Sequence, residues 1–332
     1  MHTKVFKALV VEEKDQVYVR AIKNRTMDQL PDGDLLIRVA YSSLNYKDVL
    51  SAIGNKGVTQ KYPHTPGIDA AGTVVHSDDS EFNKGDTVIV TGYDLGMNTN
   101  GGFGQYIRVP SAWAVKLPTE LTLKEAMIYG TAGFTAGISV AKLCERVSPD
   151  AGEIVVSGAT GGVGSMSIAI LAKLGYRVVA VTGKPADYPF LRQLGALRIL
   201  PREALQDSGR RPLLKAQWAG GIDTVGGPIL ENIIKSTSPL GVVTCCGNVA
   251  SADLNLTVYP FILRGVSLVG IDSQNYPMPS RIDLWQKLAN KWKPEMLEEL
   301  YVEKTLEELD DCMTRMLAGK SKGRILVNLQ QE

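Results

Sequence analysis

Soft metal ligands are scarce: a chain of 332 residues carries four cysteines and three histidines. Cys144, Cys245, Cys246 and Cys312 show no C-x-x-C spacing, and His2, His64 and His76 fall at no ligand spacing, so no metal site is assigned. The adjacent Cys245 and Cys246 lie on a run that reads as a buried strand, and all four thiols are expected to be reduced. Excess charge is also lacking: 36 basic against 35 acidic residues leave +1, without a basic tract, which excludes a nucleic-acid surface. No apolar run reaches the roughly 18 residues of a membrane span. The apolar stretch near the N-terminus meets Glu12, Glu13 and Lys14 too soon for a signal segment. A cytoplasmic location without a membrane partner is expected. Repeats, low-complexity segments and long linkers are absent from the sequence too.

A hydrophobic content of 44% and a charged content of 21% suit an ordinary globular protein, and the length suits two domains. From Lys4 to about Pro118 the pattern is short strands divided by turns: Lys7 to Val11, Gln16 to Arg20, Asp34 to Ser42, Gly72 to Val75 and Thr87 to Thr91. That half reads as barrel-like. Beyond Pro118, helices over Glu125 to Tyr129 and Thr135 to Cys144 open an α/β alternation. Its strands are expected at Leu197 to Leu200, Gly221 to Val225, Val242 to Cys246 and Val266 to Ile271, with a helix over Ile229 to Ser236. With two more strands described next, about six parallel strands make a doubly wound sheet. Helices over Arg281 to Trp292 and Thr305 to Leu317 follow, then a strand from Arg324 to Leu329 that is expected to return to the first domain.

The most informative stretch is Glu153 to Lys184, which reads strand, glycine-rich turn, helix from about Val163 to Leu174, and a strand over Val178 to Val181. Gly158, Gly161 and Gly164 recur every three residues, the pattern of a dinucleotide-binding turn: one glycine for the tight turn, one for backbone approach to a pyrophosphate, one for helix-on-strand packing. The helix N-terminus turns its unpaired N–H groups to the phosphates. An NAD site wants an acid about 20 residues past the glycines, at the ribose 2′-hydroxyl. Here that position reads Thr182-Gly183-Lys184, a donor, a space and a cation, which suits the 2′-phosphate of NADP(H).

Several strings, SSLNYKD (42–48), PGIDAAGTV (66–74), GTAGFTA (130–136) and PFILR (260–264), resemble the medium-chain dehydrogenase/reductase superfamily. The resemblance covers essentially the whole chain and narrows to the zinc-independent quinone oxidoreductase family and its acryloyl-CoA reductase (NADPH) subgroup. It implies an α/β fold with a GroES-like β-barrel domain over 1–122, a Rossmann domain over 123–275 and a return to the catalytic domain over 276–332. Zinc-dependent members hold their metal with a Cys in the early turn and a His in a G-H-E motif. This chain has Asn45 and Tyr46 in that turn and Gly67-Ile68-Asp69 in place of G-H-E, so no metal is implied.

The resemblance further implies that Tyr46 lies beside the nicotinamide, that Thr160, Gly161, Gly162 and Val163 line the pyrophosphate, and that Thr182, Gly183, Lys184 and Arg202 take the adenosine phosphate. Asn248, Ile262 and Ser273 would complete the cofactor contacts. Hydride from NADPH would pass to the β-carbon of an α,β-unsaturated carbonyl compound, acryloyl-CoA by the subgroup resemblance, or to a quinone. Tyr46 is the candidate proton donor or oxyanion hydrogen-bonder, with Asn45 and Asp69 orienting it. A non-catalytic NADPH-binding protein of the lens-crystallin kind is the alternative of another class. A homodimer is expected by resemblance, with Val266 to Ile271 as the pairing sheet edge.

Overall fold

The computed structural model describes residues 4–206 and 211–330. The chain divides into two units, one of 1–131, 274–289 and 301–332, the other of 132–273 and 290–300. Among the described residues no helix is long and apolar enough to cross a membrane.

The first unit opens with a hairpin of β1 (Val5–Lys14) and β2 (Val17–Thr26). Next come β3 (Leu35–Leu44), α1 (Tyr46–Ala52), β4 (Asp69–Ser77), β5 (Thr87–Thr91), β6 (Tyr106–Val109), β7 (Ala114–Lys116) and α2 (Leu123–Cys144), of which the residues from 132 on are counted with the second unit. The sequence reading joined neither β6 nor β7 to the strands, since each is only three or four residues long and carries too little alternation to register. It also divided α2 in two, and the helix does break at Gly130, whose φ of 50° and ψ of −157° are not helical.

The second unit holds β8 (Glu153–Val156), α3 (Gly162–Lys173), β9 (Arg177–Thr182), α4 (Tyr188–Gln193), β10 (Ala196–Pro201), β11 (Trp218–Asp223), α5 (Gly227–Lys235), β12 (Thr237–Cys245), α6 (Tyr259–Arg264) and β13 (Ser267–Gly270). The chain then supplies α7 (Met278–Ala289), β14 (Tyr301–Lys304), α8 (Leu309–Leu317) and β15 (Arg324–Asn328) to the first unit.

The sheet of the first unit has the order β14-β15-β3-β4-β5-β7, with β6 also paired to β3. The last strand does return: β15 runs antiparallel to β3 with Ile325 opposite Leu44. That register sets Arg324 against the end of β3, where Asn45 begins the turn into α1. Leu35, Ile37, Val39, Val74, Val88 and Ile107 are buried beneath the sheet, each contributing about 1.5–3 kcal/mol of hydrophobic stabilisation.

The sheet of the second unit has six parallel strands in the order β10-β9-β8-β11-β12-β13. Numbered from β8 this is 3-2-1-4-5-6, the doubly wound nucleotide-binding order, whose ligand sites lie at the carboxyl ends of the strands beside the β8/β11 reversal. Ile154, Val155 and Val156 of the central β8 are fully buried, the uninterrupted apolar run of a parallel strand covered on both faces. By contrast β13 is the outer strand, and its residues are half-buried or exposed.

Candidate active site

The glycine turn between β8 and α3 shows why each glycine is there. Gly158 has φ +56°, and a Cβ on it would meet Thr224 Oγ1 at 2.1 Å. A Cβ on Gly164 would sit 2.4 Å from Gly158 O, so the helix could not pack onto the turn. Gly161 caps α3 in extended backbone, and among the described residues, its chain neighbours aside, Gly158 O at 3.3 Å is the only atom within 4 Å of where a Cβ would stand. Thr160, Gly161, Gly162, Val163 and Gly164 therefore gather at one helix start, where free N–H groups and the helix dipole suit a pyrophosphate.

Three polar residues outside that reading brace the turn. Ser157 Oγ donates to Asp223 Oδ1 at 2.6 Å, and Thr224 N donates to Ser157 Oγ at 3.0 Å. Asp223 Oδ2 accepts from the amides of Val225 and Gly226 at 3.2 and 2.7 Å. The carboxyl is fully buried, and burial raises its pKa. Together they tie β8 to β11 across the strand-order reversal. Asp223 and Ser157 went unread because each is a single polar residue at a strand end, with nothing local to mark the pairing.

At the end of β9 the parallel register places Pro201 beside Thr182, so Arg202 follows next to Gly183. The guanidinium covers that glycine: a Cβ on Gly183 would lie 2.9 Å from Arg202 Nη2. Lys184 N donates to Thr182 Oγ1 at 3.2 Å. Burial lowers the Lys184 pKa; Asp187 opposes the shift, and the like charge of Arg202 adds to it. Two cations around a glycine provide space and charge for a phosphate monoester.

The remaining residues assigned to the cofactor are more dispersed. Asn248 is exposed after β12, its Cα 3.2 Å from where Gly226 would carry a Cβ. Ser273 Oγ accepts from Thr135 Oγ1 at 2.8 Å. Ile262 is 67% exposed on α6.

The first unit carries a different constellation, built from side chains. Asp69 opens β4 fully buried. Its Oδ2 accepts from Ser43 Oγ at 2.6 Å and Asn45 Nδ2 at 2.7 Å, and its Oδ1 from Thr131 Oγ1 at 2.6 Å. Thr131 N lies 2.9 Å from Oδ2 and 3.0 Å from Oδ1. Asn45 is held on every side: its backbone N–H donates to Asp48 Oδ2 at 2.7 Å, and its amide also donates to Ser43 O at 3.1 Å. Asp48 Oδ1 accepts from Ile68 N at 2.8 Å. Burial first, and then the neighbouring Asp69, push the Asp48 pKa up to about 7.

Tyr46 follows Asn45 at the start of α1 and is 47% exposed. Asn45 and Asp69 thus belong to one network, which meets Tyr46 through the backbone of Asn45. Arg324, Ser43, Asp48, Gly130 and Thr131 are further members. Four of these stand inside the strings SSLNYKD and GTAGFTA, whereas Arg324 is 279 residues from Asn45 and has no local signature.

A metal does not fit this donor set. The Asn45 amide and the Thr131 hydroxyl spend their protons on Asp69, Ile68 is apolar, and Arg324 Nη2 stands 3.8 Å from Asp69 Oδ2. Among the described residues no group of three or more His, Cys, Asp or Glu could hold a metal ion.

A GroES-like unit and a parallel-sheet Rossmann unit in one chain define a nicotinamide-type oxidoreductase fold. Two family models match: the alcohol dehydrogenase GroES-like domain over residues 31–119 and the zinc-binding dehydrogenase over 162–290. Acrylyl-CoA reductase AcuI of Ruegeria pomeroyi is 40% identical over 328 residues, covering 98% of this chain and 99% of its own. YhfP of Bacillus subtilis, which carries a provisional quinone oxidoreductase name, is 43% identical over 328 residues, covering 98% of this chain and 99% of its own. The crystal structure of YhfP with NAD bound matches at a TM-score of 0.96, 42% identity, over 98% of this chain and 100% of that one. The yhdH oxidoreductase of Salmonella enterica in complex with NADP matches at 0.95, with 40% identity, over 98% of this chain and 100% of that one. The chain belongs to the medium-chain dehydrogenase/reductase family and is an oxidoreductase.

Proposed function

We propose that the protein is an NADPH-dependent, metal-independent reductase of an activated C=C bond in a small α,β-unsaturated carbonyl compound, with acryloyl-CoA, reduced to propanoyl-CoA, as the substrate. The observation that carries this reading is the donor set around Asn45 and Asp69, whose carboxylate is spent on hydrogen bonds within the network and does not suit a metal, and beside it one exposed phenol. Carbonyl-to-alcohol reduction wants a Lewis acid for the alkoxide. A conjugated acceptor delocalises the charge instead and needs only a hydrogen bond or a proton. The relative named acrylyl-CoA reductase supports the substrate assignment.

In this reading a catalytic domain over 1–122, to which the chain returns over 276–332, carries the reacting end, and a domain over 123–275 holds the nucleotide. When bound, NADPH supplies the hydride. Gly158, Thr160, Gly161, Gly162, Val163 and Gly164 hold its pyrophosphate, Thr182, Gly183, Lys184 and Arg202 its 2′-phosphate, and Asn248, Ile262 and Ser273 complete the contacts. Tyr46 donates to the enolate oxygen or protonates the α-carbon, while Asn45 and Asp69 fix the turn from which it projects. The same acceptor chemistry admits a quinone, the second reading, which the name of YhfP favours.

We further propose a cytoplasmic homodimer joined along the open edge of β13. That strand is outermost in its sheet, and the preceding helix leaves Ile262 and Leu263 67% and 62% exposed. A monomeric mass by light scattering would sink this part.

The test follows NADPH absorbance on adding acryloyl-CoA, with 1,4-benzoquinone and NADH as parallel arms. Rapid oxidation with acryloyl-CoA supports the enoyl-thioester reading, and turnover with the quinone alone transfers the assignment to the second. Equal rates with NADH overturn the cofactor assignment. In Tyr46→Phe, kcat is expected to fall about 100-fold if the phenol handles the proton.

A further inference from the structure

We propose that Arg324 is a positioning residue for this reduction: its guanidinium, set against Asp69, locks the turn bearing Asn45 and Tyr46 to the break in α2. The inference rests on the reductase reading above and adds a residue to it.

Arg324 is 3% exposed and comes from β15, the strand that the chain supplies last. Its Nε donates to Ile128 O at 3.0 Å, Nη1 to Leu44 O at 3.3 Å and to Asn45 Oδ1 at 3.2 Å, and Nη2 to Ser43 Oγ at 2.8 Å. The other Nη2 hydrogen is the one left for Asp69 Oδ2, 3.8 Å away. Every acceptor belongs to one of two segments, residues 43–45 before Tyr46 or Ile128 just before the helix break. Asp69 reaches the same segments from its own side, through Ser43, Asn45 and Thr131. Gly130 makes the contact possible, since a Cβ there would stand 2.3 Å from Ser43 Oγ, 2.4 Å from Asp69 Oδ2 and 2.7 Å from Arg324 Nη2.

The consequence for Tyr46 is geometric. With Asn45 bonded through its backbone N–H, its amide nitrogen and its amide oxygen, the residue before Tyr46 has no rotational freedom left. The start of α1 is therefore fixed, and with it the backbone position from which the Tyr46 side chain leaves. A buried ion pair of this kind is a poor source of stability compared with apolar packing, because both charges lose their hydration. Its return lies in direction: a planar fork satisfies four acceptors at set angles, which neither an aliphatic side chain nor the point charge of lysine reproduces.

The acceptor for the test is whichever of acryloyl-CoA or 1,4-benzoquinone the wild type turns over, so an error in the substrate leaves it intact. In folded Arg324→Met, kcat is expected to fall about 100-fold, as for a reacting group displaced by an ångström. NADPH affinity, read by fluorescence, is expected to stay within about threefold, because the nucleotide contacts are elsewhere. Added guanidinium at millimolar concentration is expected to restore part of kcat in the Met variant but not in Arg324→Lys. A folded Met variant with near wild-type kcat, or one whose only change is in NADPH affinity, overturns the proposal.

If Arg324→Met does not fold, Thr131→Val removes the hydroxyl bond to Asp69, and Ser43→Ala removes two bonds of the lock, one to Asp69 and one from Arg324. Thr131→Val is expected to lower kcat about 10-fold, the worth of one hydrogen bond to a charged group, and Ser43→Ala by at least as much, both at unchanged NADPH affinity. Unchanged kcat in both overturns it. If the wild type turns over neither acceptor, the reductase reading fails by itself, and positioning is read from amide exchange in Arg324→Lys. Faster exchange at Asn45 and Asp48, with Gly161 to Gly164 unaffected, supports the lock, and no change there overturns it.

Discussion

The nucleotide turn and the Asn45 network solve the same problem, holding a reacting group in place, with opposite materials. The turn over 157–164 is made of backbone: φ +56° at Gly158 and the clearance at Gly164 leave amides free at the start of α3. The network around Asp69 is made of side chains, with one guanidinium and two carboxyls enclosed and nearly every lone pair assigned. Backbone sites are cheap in sequence terms, because the requirement is met within a dozen residues. Side-chain networks need partners from several strands in register, and they tolerate the loss of any one member poorly.

The sharpest way to break the comparison is Asp69→Ala. It leaves Arg324 buried without its carboxylate, and destabilisation of about 3–5 kcal/mol is expected, read as a fall in the urea midpoint at unchanged slope. A loss below 1 kcal/mol would mean that the charges are less enclosed than the contacts indicate.

On the backbone side, Gly164→Val forces a side chain into Gly158 O. Overpacking of roughly 1–3 kcal/mol is expected, and it should appear mainly as weaker NADPH binding in fluorescence titration. If the midpoint falls while binding is untouched, the glycine serves the fold alone.

Arg202→Ala sharpens the cofactor half of the comparison. Removing a charged donor from a phosphate costs about 1.5–3 kcal/mol, so the KM for NADPH should rise 10- to 100-fold with little change for NADH. Parallel changes for both nucleotides would place Arg202 elsewhere than on the 2′-phosphate.

The smallest effect concerns pH. The folded-state pKa of Asp48, about 7, lies above its unfolded value near 3.9. The group's stabilising contribution is therefore full below about pH 4 and is lost as pH rises through about 7. Asp223 is shifted the same way by burial and adds to the slope. The thermal-midpoint deficit of Asp48→Asn relative to wild type should shrink by a few degrees between pH 4 and 8. A deficit that grows over that range would show a depressed pKa instead.

Much of this architecture was legible from the chain alone. The strand over Thr87–Thr91 coincides with β5, and in the doubly wound half β8, β9, β10 and β13 lie within a residue of their expected limits, whereas β11 and β12 begin earlier than expected, at Trp218 and Thr237. The helix over Thr305 to Leu317 begins instead at Leu309, because Thr305 N is spent on the Glu308 side chain, which organises a turn ahead of the helix. Likewise the division of α2 at Gly130 was visible as a gap in helical pattern, but its cause was not. The break makes room for Asp69, Ser43 and Arg324, three residues from three strands.

What the sequence by itself determined is the part governed by local rules: glycine spacing, strand-to-helix periodicity, and a donor, a space and a cation in place of an acid at Thr182-Gly183-Lys184. Only the tertiary structure decided that Arg202 lies over Gly183, that Asp223 braces Ser157, and that Arg324 completes the network around Asn45. The physical reason is register. A one-residue slip of β15 along β3 would turn Arg324 to the opposite face of the sheet, and no pattern within either strand announces which alignment will form.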